Sequence, residues 1–133
     1  MNAQADALLK GKPASIGDLF DWRVATTPDS EAFRYPDASD NWVSLTWTQT
    51  RDRVRELAAG LLTLSVGQAE RVAIAATTRV EWILADLAVN AIGAATTTIY
   101  PNTAAEDFQY IVGHSASKVL IAENADQAAK LDG

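Results

Sequence analysis

Residues 71–122 read RVAIAATTRVEWILADLAVNAIGAATTTIYPNTAAEDFQYIVGHSASKVLIA. Three runs within this stretch, 72–76, 95–100 and 118–122, have the apolar and β-branched character of strands. Two segments with apolar residues at helical spacing separate them. Strand, helix, strand, helix, strand is the order of successive right-handed parallel crossovers, so the stretch predicts an α/β layer structure. Gly93 and Gly113 stand where the two helices should end, because glycine enters the left-handed conformation of a helix C-terminus without a Cβ penalty. The runs are nearly continuous in apolar character rather than alternating, which calls for cover on both faces of the sheet.

Upstream, runs 32–35 and 42–45 are separated only by Pro36-Asp37-Ala38-Ser39-Asp40. That polar turn suits an antiparallel hairpin, with Trp42 expected to cover one face. Four times a Ser or Thr precedes an acid or amide by three residues, the pattern by which a helix start satisfies its orphan N–H groups. The pairs are Ser15/Asp18, Thr46/Gln49, Thr78/Glu81 and Thr103/Glu106. Apolar residues at helical spacing follow, such as Ile16, Leu19, Phe20 and Val24, or Trp47, Thr50, Val54, Leu57, Leu61 and Leu64. Four amphipathic helices are expected, three of which, with the hairpin, could cover the sheet. Residues 125–131 look like the first turns of another helix. No repeat, low-complexity tract or linker divides the chain. The expected organisation is a flexible tail over 1–13 and one partial domain over 14–133, incomplete at its C-terminus and with an exposed strand edge.

The 133 residues, 48% hydrophobic and 21% charged, are globular in composition. They suffice to bury roughly two thirds of the surface of the unfolded chain. A net charge of −6, with Lys and Arg never clustered beyond pairs such as Arg51 and Arg53, disfavours nucleic acid as a partner. No cysteine is present and His114 is the single histidine, which excludes disulfides, thiolate nucleophiles and cysteine-based zinc sites. The N-terminal residues hold no apolar stretch of signal-peptide type. The apolar segment 82–95 is interrupted by Asp86 and Asn90 and is too short for a membrane span. The cytoplasm is the expected location.

Candidates for chemistry each have a structural explanation. A phosphate loop needs several glycines, whereas Lys10-Gly11-Lys12-Pro13 has one and no preceding strand, and Thr96-Thr97-Thr98 has none. His114, following Gly113, suits a helix C-terminus, where an imidazole interacts favourably with the last carbonyls. Among the acids of the folded part, Glu81 and Glu106 are expected in caps, Asp107 lies beside Glu106, and Asp86 is expected to pair with Arg79 or a neighbouring loop. Trp22, Trp42, Trp47 and Trp82 lie in or beside the expected core faces.

Taken in order, these segments resemble the start of the adenylate-forming superfamily of acyl-CoA synthetases, luciferases and peptide-synthetase adenylation domains. Ser15 to Phe20, the Thr27-Pro28-Asp29 turn and Ala32-Phe33 are similar to the family's opening helix, turn and strand. Leu45-Thr46-Trp47-Thr48-Gln49 resembles the motif Leu-Thr-Tyr-x-Glu, with Trp at the aromatic position and Gln in place of the acid. Arg71-Val72-Ala73-Ile74, Glu81-Trp82 and Ala91-Ile92-Gly93-Ala94 match further motifs in sequence order. Thr97-Thr98-Ile99-Tyr100-Pro101 and Ser115 to Leu120 are most similar to the long-chain fatty-acyl branch. One departure stands out. Where the family reads Leu-Gly-Val-x-x-Gly-Asp, this chain has Ser65 and Ala69 in place of the glycines. If those positions need positive φ, each replacement costs on the order of 1 kcal/mol, and Gly67 is available to compensate.

The resemblance implies an N-terminal scaffold segment of an ATP-dependent long-chain fatty-acid–CoA ligase. Such an enzyme converts acid and ATP to an acyl-adenylate and then to acyl-CoA. The family's phosphate loop, magnesium-side acid, ribose-binding Asp and catalytic Lys all lie downstream, so no catalytic, cofactor-binding or metal residue carries over to this chain. ATP, Mg2+, CoA and fatty acid would serve only a full-length enzyme, and this segment alone is expected to be inactive. The alternative is a truncated homologue acting as an interaction module, self-associating through its exposed sheet edge. A flavodoxin-like protein with its own nucleotide site would need a glycine-bearing loop after a strand, and Thr77-Thr78-Arg79 has none.

Overall fold

The computed structural model describes residues 13–132. The tail expected over 1–13 therefore lies, apart from Pro13, outside the described residues. Helix α1 (Ile16–Thr26) begins at Ser15, whose hydroxyl accepts the Asp18 N–H at 3.0 Å. Strands β1 (Glu31–Pro36) and β2 (Trp42–Thr46) form the antiparallel hairpin, with Phe33 opposite Leu45 and Tyr35 opposite Val43. The Asp37 carboxylate organises the turn by accepting the N–H groups of Ser39 (2.8 Å) and Asn41 (3.0 Å). The Asp37 N–H in turn donates to the Asn41 carbonyl. This closing pair fixes the alternation of the ladder: Phe33 and Tyr35 bond towards β2, and Arg34 presents its backbone groups to the free edge. Pro36 falls where its missing N–H would also have pointed outwards, the position a strand tolerates.

Helix α2 (Trp47–Thr63) starts from a complete capping box, Thr46 Oγ1 accepting from Gln49 and Gln49 Oε1 from Thr46. The amide replacing the family's acid therefore fills the same role. The α/β part follows as β3 (Arg71–Ala75), α3 (Val80–Ala91), β4 (Ala95–Ile99), α4 (Ala105–Ser115) and β5 (Val119–Ala122). A short α5 (Ala125–Ala128) and a 3-10 turn (Ala129–Leu131) close the described chain.

All three strands are parallel, in the order β4-β3-β5. The chain steps from β3 to β4 in one direction and returns past β3 to β5. Two crossovers of one hand then place α3 and α4 on opposite faces. The packing agrees: Val72 joins a core with Val54, Leu61, Leu84 and Val89, whereas Ala73 and Ala75 pack with Ile99 and Phe108. The continuous apolar reading of β3 thus reflects cover on both faces, and Val72 to Ala75 are wholly buried.

Several local expectations need correction. Helix α3 is capped at Arg79 and α4 at Ala104, both without a side-chain bond. The helices begin one residue later than the Thr78 and Thr103 pattern implied, and their acids sit in the first turn, where the macrodipole favours them. Gly113 does not end α4. The helix runs on to Ser115, and Ala116 takes the left-handed turn at φ 53°. Bonds from Ala116 N to Gly113 O and from Ser117 N to Val112 O complete a Schellman motif there. Gly93, at φ 71°, ends α3 as expected with the same pair of bonds. Ile16, Leu19, Leu57 and Leu64 remain exposed. Trp42, opposite Pro36, is 70% exposed rather than covering a face of the hairpin.

Candidate functional site

Ligands of open parallel sheets bind outside the carboxyl ends of the strands, where the strand order reverses. Here that place lies between β3 and β5. The chain leaves β3 through Ala76-Thr77-Thr78-Arg79 and leaves β5 at Glu123. The Glu123 N–H donates to the Ala75 carbonyl at 3.0 Å, extending the ladder by one bond. Its carboxylate accepts both the Thr77 N–H and the Thr77 hydroxyl, the latter at 2.8 Å. The Thr77 backbone bond, followed by the hydroxyl bond, holds the Glu123 carboxyl below the ordinary carboxylate range. The chain's own acid thus occupies an amide that a phosphate approaching this crevice would need.

Arg79 donates through Nε to Glu81 Oε2 at 2.7 Å on the surface. Each supports the charge of the other: Arg79 is raised, chiefly by its bond to Glu81, and Glu81 is lowered, chiefly by its bond to Arg79. Clefts of about 470, 210 and 390 Å³ surround this loop, between it and the hairpin, β5 and β4 respectively.

The structure disperses the residues weighed from sequence. Asp86 makes no ion pair among the described residues. It accepts from Thr96 Oγ1 at 2.6 Å and Asn90 Nδ2 at 3.3 Å, tying α3 to β4. Thr97 and Thr98 are strand residues of β4. His114 lies in the last turn of α4, exposed and stacked on Tyr110 with centroids 5.2 Å apart. Glu106 and Asp107 are exposed in the first turn of that helix. Trp47 packs against Phe20 and Phe33, with Arg23 5.2 Å above its ring, while Trp22 and Trp82 are half-buried. Residues 10–12 lie outside the described residues. The Glu123–Thr77 contact was not anticipated. Its one sequence signal is an acid placed directly after an apolar strand.

The sequence profile of the AMP-binding enzyme family matches residues 20–133. The chain belongs to this family. It is 36% identical over 95 residues to the long-chain-fatty-acid–CoA ligase FadD15 of Mycobacterium bovis, an alignment covering 69% of this chain and 16% of FadD15. The chain therefore spans about a sixth of that relative's length. Among solved structures it superposes on the Mycobacterium tuberculosis fatty acyl CoA synthetase with a TM-score of 0.79 and 26% identity, over 89% of this chain and 23% of that one. The inhibitor-bound N-terminal domain of FACL13 from Mycobacterium tuberculosis gives 0.78 and 26%, over 89% and 29%. This AMP-binding family chain resembles the N-terminal part of adenylate-forming fatty acyl-CoA ligases, and its α/β fold is the one those domains share.

Proposed function

We propose that the chain supplies the N-terminal scaffold of an ATP-dependent long-chain fatty-acid–CoA ligase. Its part is to build sheet and packing surface on which other segments complete the site. The identity with FadD15 carries this reading. The reaction would join fatty acid and ATP as an acyl-adenylate with release of pyrophosphate, and then pass the acyl group to the CoA thiol. We assign no step of it to a residue of this chain. At the crevice between β3 and β5 the Thr77 amide is already held by the Glu123 carboxylate, which supports an architectural rather than a phosphate-binding role there. No described helix is long and apolar enough to cross a membrane, and the cytoplasm is the proposed location.

Fatty-acid-dependent exchange of labelled pyrophosphate into ATP tests the reading. The 133-residue chain alone should give only the blank rate, whereas FadD15 carrying residues 20–133 of this chain in place of its own matching segment should retain exchange. Activity of the isolated chain would refute the assignment of a purely architectural role.

A second reading, a self-associating interaction module, is favoured by the outer edges of β4 and β5, which pair with no strand among the described residues. A monodisperse monomer in light scattering at high concentration would remove it.

A further inference from the structure

The cleft of about 470 Å³ between the hairpin and the start of α3 belongs to neither reading above. Its size is that of a small-molecule site, in a range of roughly 300–1,000 Å³. One wall is the free edge of β1 with Phe33 and Tyr35, the other is Val80 and Ile83 of α3, and Trp42 stands at the rim. An indole 70% exposed on a folded hairpin is an unused stacking surface.

The polar complement includes two guanidinium groups. Arg34 and Arg79 line the cleft together with Glu81, and Arg53 donates to Tyr35 Oη at 3.3 Å. Arg34 is held by Glu31 through both Nε and Nη2. Arg79 bonds Glu81 through Nε alone, so among the described residues its two terminal amino groups have no acceptor and keep the planar fork that matches a carboxylate. The Thr78 hydroxyl beside it likewise has no partner among the described residues.

We propose that this cleft binds a planar aromatic carboxylate, its ring against Trp42 and its carboxylate on the open face of Arg79. An aromatic body uses the indole at little entropic cost, whereas a flexible acyl chain would surrender several rotors to lie in a cleft open to solvent. One free fork suits a single carboxylate. A phosphate would bring further charge against Glu81, which lines the same cleft.

The probe is 1-naphthoate, titrated into the 15N-labelled 133-residue chain while the tryptophan indole resonances are followed. The Trp42 signal should shift saturably at submillimolar to millimolar probe, and the signal of Trp47, whose Nε1 is buried, should not. Arg79→Gln and Trp42→Ala should each weaken binding by about tenfold, and Arg79→Lys by less. Both side chains are exposed, so unchanged resonances elsewhere confirm that the variants fold. The proposal is overturned by the absence of a saturable Trp42 shift, by undiminished affinity in Arg79→Gln, or by equal binding of neutral 1-naphthamide. Tighter binding of decanoate would replace the aromatic body with an acyl chain, and tighter binding of 1-naphthyl phosphate would replace the carboxylate, each refuting the class named. Pyrophosphate exchange by the FadD15 chimera does not depend on these outcomes, so either idea can fail alone.

Discussion

Ser65 and Ala69 flank the loop between α2 and β3 at φ 61° and 64°, both in the left-handed region. Gly67 does not relieve them, since it is not among the positive-φ residues; its N–H donates to Glu70 Oε2 at 2.6 Å. Ser65 is the left-handed residue of a Schellman motif, Ser65 N bonding Leu62 O at 3.0 Å and Val66 N bonding Leu61 O at 3.1 Å. Ala69 is held by its N–H bond to Gly93 O at 2.8 Å. A side chain in this conformation costs about 1–2 kcal/mol. Glycine removes that cost but returns about 0.4–1 kcal/mol through the entropy of the unfolded chain. Both side chains are exposed and the Ser65 hydroxyl has no partner among the described residues, so little is lost with them. Ser65→Gly and Ala69→Gly should therefore each stabilise by about 0.5–1 kcal/mol. With an unfolding entropy of about 2.1 cal/mol/K per residue, the double variant should gain roughly 3–7 °C in Tm. Urea denaturation with an unchanged m-value reads this directly. Ala59→Gly, at an exposed position inside α2, is the control and should lose about 1 kcal/mol. If Ser65→Gly and Ala69→Gly also lose stability, the bonds named above do not impose the strain ascribed to them.

Phe108 is fully buried against Ala73, Ala75 and Ile99, so Phe108→Ala should cost about 3–5 kcal/mol and open the α4 face of the sheet, measurable by amide exchange in β3. Trp47 Nε1 is buried without an acceptor among the described residues. Trp47→Phe removes that unsatisfied donor while losing part of the Arg23 contact, and denaturation should show a cost below about 1 kcal/mol, small for so large a core residue. Acid should destabilise the chain through carboxyls held low in the folded state: Glu70, chiefly by Lys118, Glu123, by Thr77, and Asp37, by the Asn41 N–H. A carboxyl lowered by folding contributes stability above its unfolded value and loses it as pH falls through the folded one. The decline should thus begin near pH 4–4.5 and deepen below it, and Glu70→Gln should make that limb shallower in a pH series of urea melts.

The α/β core was legible because residues 72–75 are apolar without alternation, as a strand covered on both faces is, and because helical segments alternate with this run and the two that follow. Helix ends were legible only approximately. The Thr-x-x-Glu pattern marks where a helix becomes favourable, yet Glu81 and Glu106 serve equally as first-turn acids with the cap one residue further on. Gly113 misled for a related reason. Glycine permits a left-handed turn without compelling one, and the bonds from Ala116 and Ser117 back to Gly113 and Val112 settle the end of α4 later in the chain.

The crevice between β3 and β5 was hidden by a different limit. Thr77 and Glu123 are 46 residues apart, and whether they meet depends on strand order rather than on any local pattern. Had the second crossover continued in the direction of the first, giving β3-β4-β5, both helices would lie on one face and Glu123 would sit beside β4, away from Thr77. The sequence asks for cover on both faces of β3, and that demand disfavours the continued order: with α1 and α2 packed on α3, two crossover helices on that same face would leave Ala73 and Ala75 bare. Burial of four consecutive residues in β3 therefore decides which side β5 takes. With it the burial decides that the acid ending β5 reaches the amide leaving β3.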